Sequence, residues 1–251
     1  MTQGADPVTL RVDARDGVTL RGAARAGEGW YDGALRLLAE HGRPSDVPDA
    51  VDLSGREKRF ACAIEPLVGF RPMSRADFPD LVRWQAEPHV ARWWDDAWPD
   101  VAGAERHYGP ALDGTDPTRM WVLEVSGRSV GFVQDYRIGD HPEFALLTGA
   151  PDAVGLDYAI GEPALAGRGL GTRALWVFVR DVLRPHYPDA PAYFAAPDHR
   201  NAASLRVLDK LGFEQGLWFD EPQRNGRVAT VVGCTFDVGR VLGWHRKVTC
   251  G

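Results

Sequence analysis

Cysteine is scarce in this chain: Cys62, Cys234 and Cys250 are the only three among 251 residues, and no two stand at CxxC spacing. That pattern argues against a disulfide framework and a cysteine-based metal site, and fits a reducing, cytoplasmic compartment. His141, His186 and His199 have no second His or Cys at ligand spacing, so no metal is expected. Long apolar runs are missing too. The longest, Ala174 to Val179, falls far short of the roughly 18–20 residues a membrane span needs. The opening MTQGADPVTL has no apolar signal core, so neither secretion nor a membrane partner is expected. A basic excess is also absent: 29 Lys and Arg face 35 Asp and Glu, for a net charge of −6. A nucleic-acid partner is therefore not expected, and a cationic small molecule suits the surface better.

What is present, 44% hydrophobic and 25% charged residues, describes an ordinary globular chain of one or two domains. From Val8 to Ala24 apolar and charged residues alternate about Asp16-Gly17, which predicts a β-hairpin. Trp30, Leu35, Leu37 and Leu38 predict a short helix ending near Gly42, and Arg43 to Gly55 is expected to be turn and linker. Residues 1–65 thus form an amino-terminal extension of hairpin plus helix. It carries no catalytic motif, which suits a structural cap or dimer contact.

Residues 66–251 form the second unit. A strand at Val68 to Met73 precedes helices beginning at Ser74 and spanning Val101 to Leu112, then strands at Met120 to Val125 and Ser129 to Ile138. After a strand at Gly155 to Ile160, the stripe Leu175, Phe178, Val179, Val182 and Leu183 predicts a helix over Arg168 to Leu183. A strand at Ala192 to Ala196 follows, then a helix from about Asn201 that stops at Gly212. Strands at Phe213 to Phe219 and Arg227 to Phe236 close the order. The pattern is mixed α/β, with a mostly antiparallel sheet and one parallel pair at the central crossover.

The most informative stretch, GLDYAIGEPALAGRGLGTRALWVFVRDVL from Gly155 to Leu183, joins a strand to a helix through Gly167, Gly169 and Gly171. Glycines let a bound group approach the backbone, and the following helix offers free N–H groups and a positive dipole end to an anion. Arg168 and Arg173 add charge, and Thr172 a hydroxyl. Thr172-Arg173 stands where a Walker loop needs Lys-Ser/Thr, and no dinucleotide fingerprint is present. A pyrophosphate-containing ligand remains, with HRNAASLRVLDKLGFEQG downstream as a second element.

Together these two segments resemble the acyl-coenzyme A binding core of the GNAT acyltransferase superfamily. EPHVARWWDD, VGFVQDY, GLDYAIGEPALAGRGLGT and NAASLRVLDKLGF, in this order, are similar to the aminoglycoside 6′-N-acetyltransferases from about Val68 to Val238. The resemblance implies a splayed sheet flanked by helices, with the pantetheine arm of acetyl-CoA between the strands at Asp157 and Ala192. Its cofactor contacts would fall on Ile160, on Gly167, Arg168, Gly169, Leu170, Gly171 and Thr172, and on Asn201. Asp157 would receive the substrate amine as general base, a role suited to a carboxylate within reach of an ammonium.

By the same resemblance the acceptor would meet Trp93, Trp94 and Asp95 on a wall loop, Gln134 and Tyr136 at a strand end, Glu143 in the next loop, and Asp198. Burial statistics alone would put the tryptophan pair in a core. Three positions depart from the family pattern. Ala166 replaces the usual Gln or Arg at the start of the turn; Leu208 stands where many members carry a Tyr that protonates the departing thiolate; and Asp198 lies two residues beyond the usual acid. A free thiol's pKa of roughly 8.5 lets it leave without that Tyr. Siderophore-building N-acyltransferases are also similar over this region, including a DHRN-like segment, but typically carry a His where Asp157 stands. A non-catalytic acyl-CoA sensor is the remaining alternative.

Overall fold

The computed structural model describes residues 8–62, 64–94, 98–223 and 226–243. The expected hairpin forms: β1 (Thr9–Asp13) and β2 (Thr19–Ala23) pair antiparallel, with Gly17 in the left-handed region at φ +83°. α1 (Trp30–Glu40) then buries Trp30, Tyr31, Leu37 and Leu38. The segment Arg43 to Gly55, expected to be linker, instead contains β3 (Pro48–Asp52), which pairs antiparallel with β4 (Glu57–Cys62). β4 runs parallel to β1, giving a four-stranded sheet in the order β2-β1-β4-β3. Pro48, Asp49 and Asp52 are poor strand formers. Their strand lies at the sheet edge, where a proline is tolerated, and tertiary partners hold it there.

β5 (Val68–Pro72) leads into α2 (Phe78–Ala86), α3 (Pro88–Ala91) and α4 (Val101–Leu112), followed by β6 (Arg119–Val125) and β7 (Arg128–Arg137). The next segment, expected to be a loop, contains α5 (Pro142–Thr148), with Glu143 in its first turn. Not one α5 side chain is buried, so it has no apolar stripe by which the sequence could announce it. β8 (Val154–Ile160) feeds α6 (Leu170–Val177), a π-helical stretch over Phe178–Leu183 and α7 (Arg184–His186). One helix was expected over this region; the wider π turn brings Phe178, Val179, Val182 and Leu183 into the core together. β9 (Ala192–Ala195), α8 (Ala202–Lys210), β10 (Glu214–Pro222), β11 (Val228–Asp237) and α9 (Val238–Val241) complete the chain.

The larger sheet has the order β10-β11-β9-β8-β7-β6-β5 and is antiparallel except at β8 and β9. That parallel pair meets only at Val154 opposite Tyr193 and Gly155 opposite Phe194. Past Gly155, β8 stays with β7 while β9 follows β11, so a slot opens between them. Among the described residues no helix is long and apolar enough to cross a membrane.

One apolar cluster runs from the small sheet into the larger one. Tyr31 and Phe60 pack edge-on against Trp176 of α6, with ring centroids 5.5 and 5.9 Å away. Charge ties the same faces. Asp49 of β3 pairs with Arg180 and lies 3.4 Å from Arg173, and all three side chains are nearly buried. The Leu53 amide donates to the carbonyl of Lys210 at 2.6 Å, capping the end of α8. Removing one partner of a buried pair strands the other charge. Asp49→Ala should therefore cost about 3 kcal/mol in denaturant unfolding; a loss under about 1 kcal/mol would mean the pair is already hydrated.

Burial pushes the thiols of Cys62 and Cys234 up to about 11. Each stays protonated through neutral and mildly alkaline pH, and only the thiolate is the nucleophile. Iodoacetamide at pH 8 should leave both unlabelled in the native protein and label both once it is denatured. Rapid labelling of either in the native state would contradict this packing.

Candidate active site

β7 and β8 pair with Gln134 opposite Asp157, and alternation puts both side chains on one face. Gln134 Nε2 donates to Asp157 Oδ2 at 3.0 Å, orienting the carboxylate. Both line a cavity of about 810 Å³ that opens where β8 and β9 separate. Trp93, Trp94 and Trp98 wall one side, the segment from Ala195 to Asn201 another, and the β10–β11 hairpin a third. Trp94 does double duty: its ring meets Phe132 edge-on at 4.7 Å while one edge faces the cavity. Trp93 carries the Arg92 guanidinium over its ring at 5.2 Å. Asp95 lies outside the described residues.

Asp198 reaches the cavity although Pro197 interrupts the strand, because it forms an isolated bridge with Val231 of β11. Arg200 grips its carboxylate at 2.7 and 2.9 Å and holds its pKa below the usual carboxylate range. Asp198 is thus already neutralised by a neighbour. Tyr136 and Glu143, expected at the acceptor, are not among the lining residues. Tyr136 packs edge-on against His141 and Phe144, filling the space over Gly155, while Glu143 is exposed on α5. Both follow from α5, which turns this stretch into a packed aromatic layer.

Beyond the end of β8, Gly167 and Gly169 take φ +73° and +84°, a conformation costing an L-residue roughly 1–2 kcal/mol. No atom lies within 4 Å of where a Cβ would stand on either, so the cradle has free space in front of it. Gly171 differs: a Cβ there would make ordinary contact with Val207 of α8 at 3.4 Å, so α6 and α8 lie close at this point. Leu170 opens α6, Thr172 is buried in its first turn, and Arg168 is exposed. The first amides of α6 have no intrahelical acceptor. Ile160, like Leu165 and Leu170, packs against the buried cluster of Leu123, Val130 and Ala174, and its carbonyl accepts from His89 Nε2 at 2.8 Å. Asn201 caps α8 by accepting from the Ser204 amide and lines the cavity.

Several cavity residues escaped the sequence reading. Tyr158 and Ser204 hydroxyls lie 2.9 Å apart across the slot, and burial raises the Tyr158 pKa, so it stays a phenol. Ser204 stands three residues past the helix-capping Asn201, a spacing that could have drawn attention to it. Leu208, one turn further, is buried in the core. Arg92, Arg200 and Arg227 line the cavity beside Asp157, Asp198 and Glu221, so the lining carries both signs of charge. No local sequence pattern marks Arg227 or Glu221, which arrive on the closing hairpin. Among the described residues, no cluster of His, Cys, Asp and Glu could hold a metal ion.

The lysine N-acyltransferase MbtK of Mycobacterium tuberculosis is 27% identical over 181 residues, covering 72% of this chain and 82% of that protein. Among solved structures, AAC(6′)-Ib in complex with paromomycin and acetyl-CoA shares the fold, at 21% identity and a TM-score of 0.60 over 74% of this chain and all of that one. An aminoglycoside N(6′)-acetyltransferase from Legionella pneumophila does so at 18% identity and a TM-score of 0.53, over 70% of this chain and 94% of that one. The family model described as an acetyltransferase (GNAT) domain matches residues 74–220, which take in the slot, the glycine turn and α8. With more than half its length in that match, the chain belongs to the GNAT acetyltransferase family.

Proposed function

We propose that this protein transfers acetyl from acetyl-CoA to a primary amine of a cationic, aminoglycoside-like small molecule. The observation that carries this is Asp157, oriented by Gln134 in the cavity at the opened strand pair, on the strand that leads to the open glycine turn. The residues fit acetyl-CoA: Gly167 and Gly169 leave room for a pyrophosphate against backbone, with the free amides of α6 behind it. Bound there, acetyl-CoA supplies an activated thioester. Asp157 takes the proton an ammonium must lose before it can attack, directly or through one water. Unpaired N–H groups on the free edge of β8 are placed to polarise the thioester carbonyl. Trp93 and Trp94 offer indole faces on which sugar rings stack, while Asp157 and Glu221 attract amines. Residues 1–65 act as an extension of the acetyltransferase domain at 66–251, and the enzyme works in the cytoplasm.

A second acceptor class has its own support. Arg92 and Arg227 on the same lining suit an amine that also bears a carboxylate, such as lysine or hydroxylysine, and MbtK is named for a lysine acceptor. Acetyl-CoA-dependent thiol release, assayed with kanamycin-type aminoglycosides, simple polyamines, lysine and hydroxylysine, separates the two. Turnover confined to aminoglycosides supports the first class, and turnover confined to the amino acids replaces it with the second. Binding of acetyl-CoA without release in any case would make the protein a sensor.

Asp157→Asn keeps shape and loses the base, so kcat should fall about 10²- to 10⁴-fold while acetyl-CoA affinity stays within about twofold. Undiminished kcat would remove Asp157 from the chemistry. Gly169→Val adds bulk to the cradle and strains it by roughly 1–2 kcal/mol, so acetyl-CoA should bind at least tenfold more weakly. Unaltered affinity would mean the pyrophosphate lies elsewhere.

A further inference from the structure

A second cavity, of about 400 Å³, lies between the amino-terminal module and the glycine turn. One wall comes from the module and its exit: Ala50 and Val51 of β3, then Ile64 and Pro66 on the way to β5. Arg168 and Gly169 of the glycine turn face it, and Lys210 at the end of α8 closes it. All of the module's share lies outside the stretch matched by the acetyltransferase family model.

The two walls are locked together. Asp49, next to Ala50, pairs with Arg180 and approaches Arg173, and Arg173 also bonds the Pro66 carbonyl. The Leu53 amide holds the Lys210 carbonyl at 2.6 Å. Charge inside the cavity is uneven. Arg173 is engaged as described, but neither the Arg168 guanidinium nor the Lys210 ammonium has a hydrogen bond or ion pair among the described residues, and Glu65 is the one acid in the lining. The remaining surface is largely aliphatic, from Val51, Ile64 and Pro66. Two uncommitted cations beside an apolar wall match a ligand with a flat ring and a phosphate.

An acyl-CoA carries such a group. Beyond its pyrophosphate comes an adenosine whose 3′-phosphate bears nearly two negative charges at neutral pH. We propose that the amino-terminal module forms half of the seat for this nucleotide end: Val51, Ile64 and Pro66 pack against the purine, and Arg168 and Lys210 bind the 3′-phosphate. The seat rests on the proposed pyrophosphate position at the glycine turn, because the cavity begins at Arg168 and Gly169. The module is then part of the cofactor site rather than a remote cap.

Calorimetric titration of the full chain with acetyl-CoA, 3′-dephospho-CoA and adenosine 3′,5′-bisphosphate tests it. In the wild type, adenosine 3′,5′-bisphosphate should bind and compete with acetyl-CoA, and dephospho-CoA should bind more weakly than CoA. Lys210→Ala should weaken CoA about tenfold or more and leave dephospho-CoA unchanged, erasing the preference for the 3′-phosphate. Val51→Asp, checked for a native melting transition, should weaken both. Wild-type affinities in Lys210→Ala and Val51→Asp, with Gly169→Val still weakened, would overturn the module's part and leave the pyrophosphate position standing. Failure of the wild type to bind acetyl-CoA at all would overturn both.

Discussion

Everything functional here depends on one broken pairing. β8 and β9 are parallel neighbours that share only two residue pairs before each follows its antiparallel partner, β8 along β7 and β9 along β11. A sheet interior normally satisfies its backbone groups by continued pairing, and an opened one leaves N–H and C=O groups that need another partner. From Leu156 to Ile160 the free edge of β8 is therefore a polar rail along the slot. Asp157 sits on that rail, and the chain passes from its end through a short turn at Pro163–Leu165 to the glycines. The order of β11, β9 and β8 holds the gap open, so the slot is built into the topology.

The small sheet changes what surrounds that gap. Its aromatic residues Tyr31 and Phe60 meet Trp176 on α6, and Asp49 sits between two arginines of the same helical run. α6 is thus fixed from both sides, by the larger sheet beneath it and by the module above. An isolated surface ion pair contributes little, but this one is nearly buried and surrounded by packed rings, where a lost partner is costly. Leu53 adds a backbone cap on α8. The two helices that frame the glycine turn therefore take their position partly from residues outside the acetyltransferase match.

The larger cavity combines indole faces with charges of both signs. Arg200 neutralises Asp198, while Gln134 orients Asp157. A polycation and an amino-acid amine would use this lining differently. The first would stack on Trp93 and Trp94, and the second would place an anion near Arg92 or Arg227.

The amino-acid sequence by itself determined the hairpin at Asp16-Gly17, the amphipathic helices and the glycine turn, because each depends on contacts within a few residues. The left-handed angles at Gly17, Gly167 and Gly169 and the Asn201 cap are local in the same sense. Ordered motifs also carried the family, and with it the slot between the strands. Tertiary structure decided the rest. β3, rich in Pro and Asp, is a strand only because β4, Arg173 and Arg180 hold it. α5 has no buried face to announce it, yet it draws Tyr136 into an aromatic layer and leaves Glu143 exposed. Tyr158 meets Ser204, and Arg227 and Glu221 join Asp157, across separations of tens of residues. No periodicity encodes such meetings, since they arise from strand order and from which faces the sheets turn toward each other.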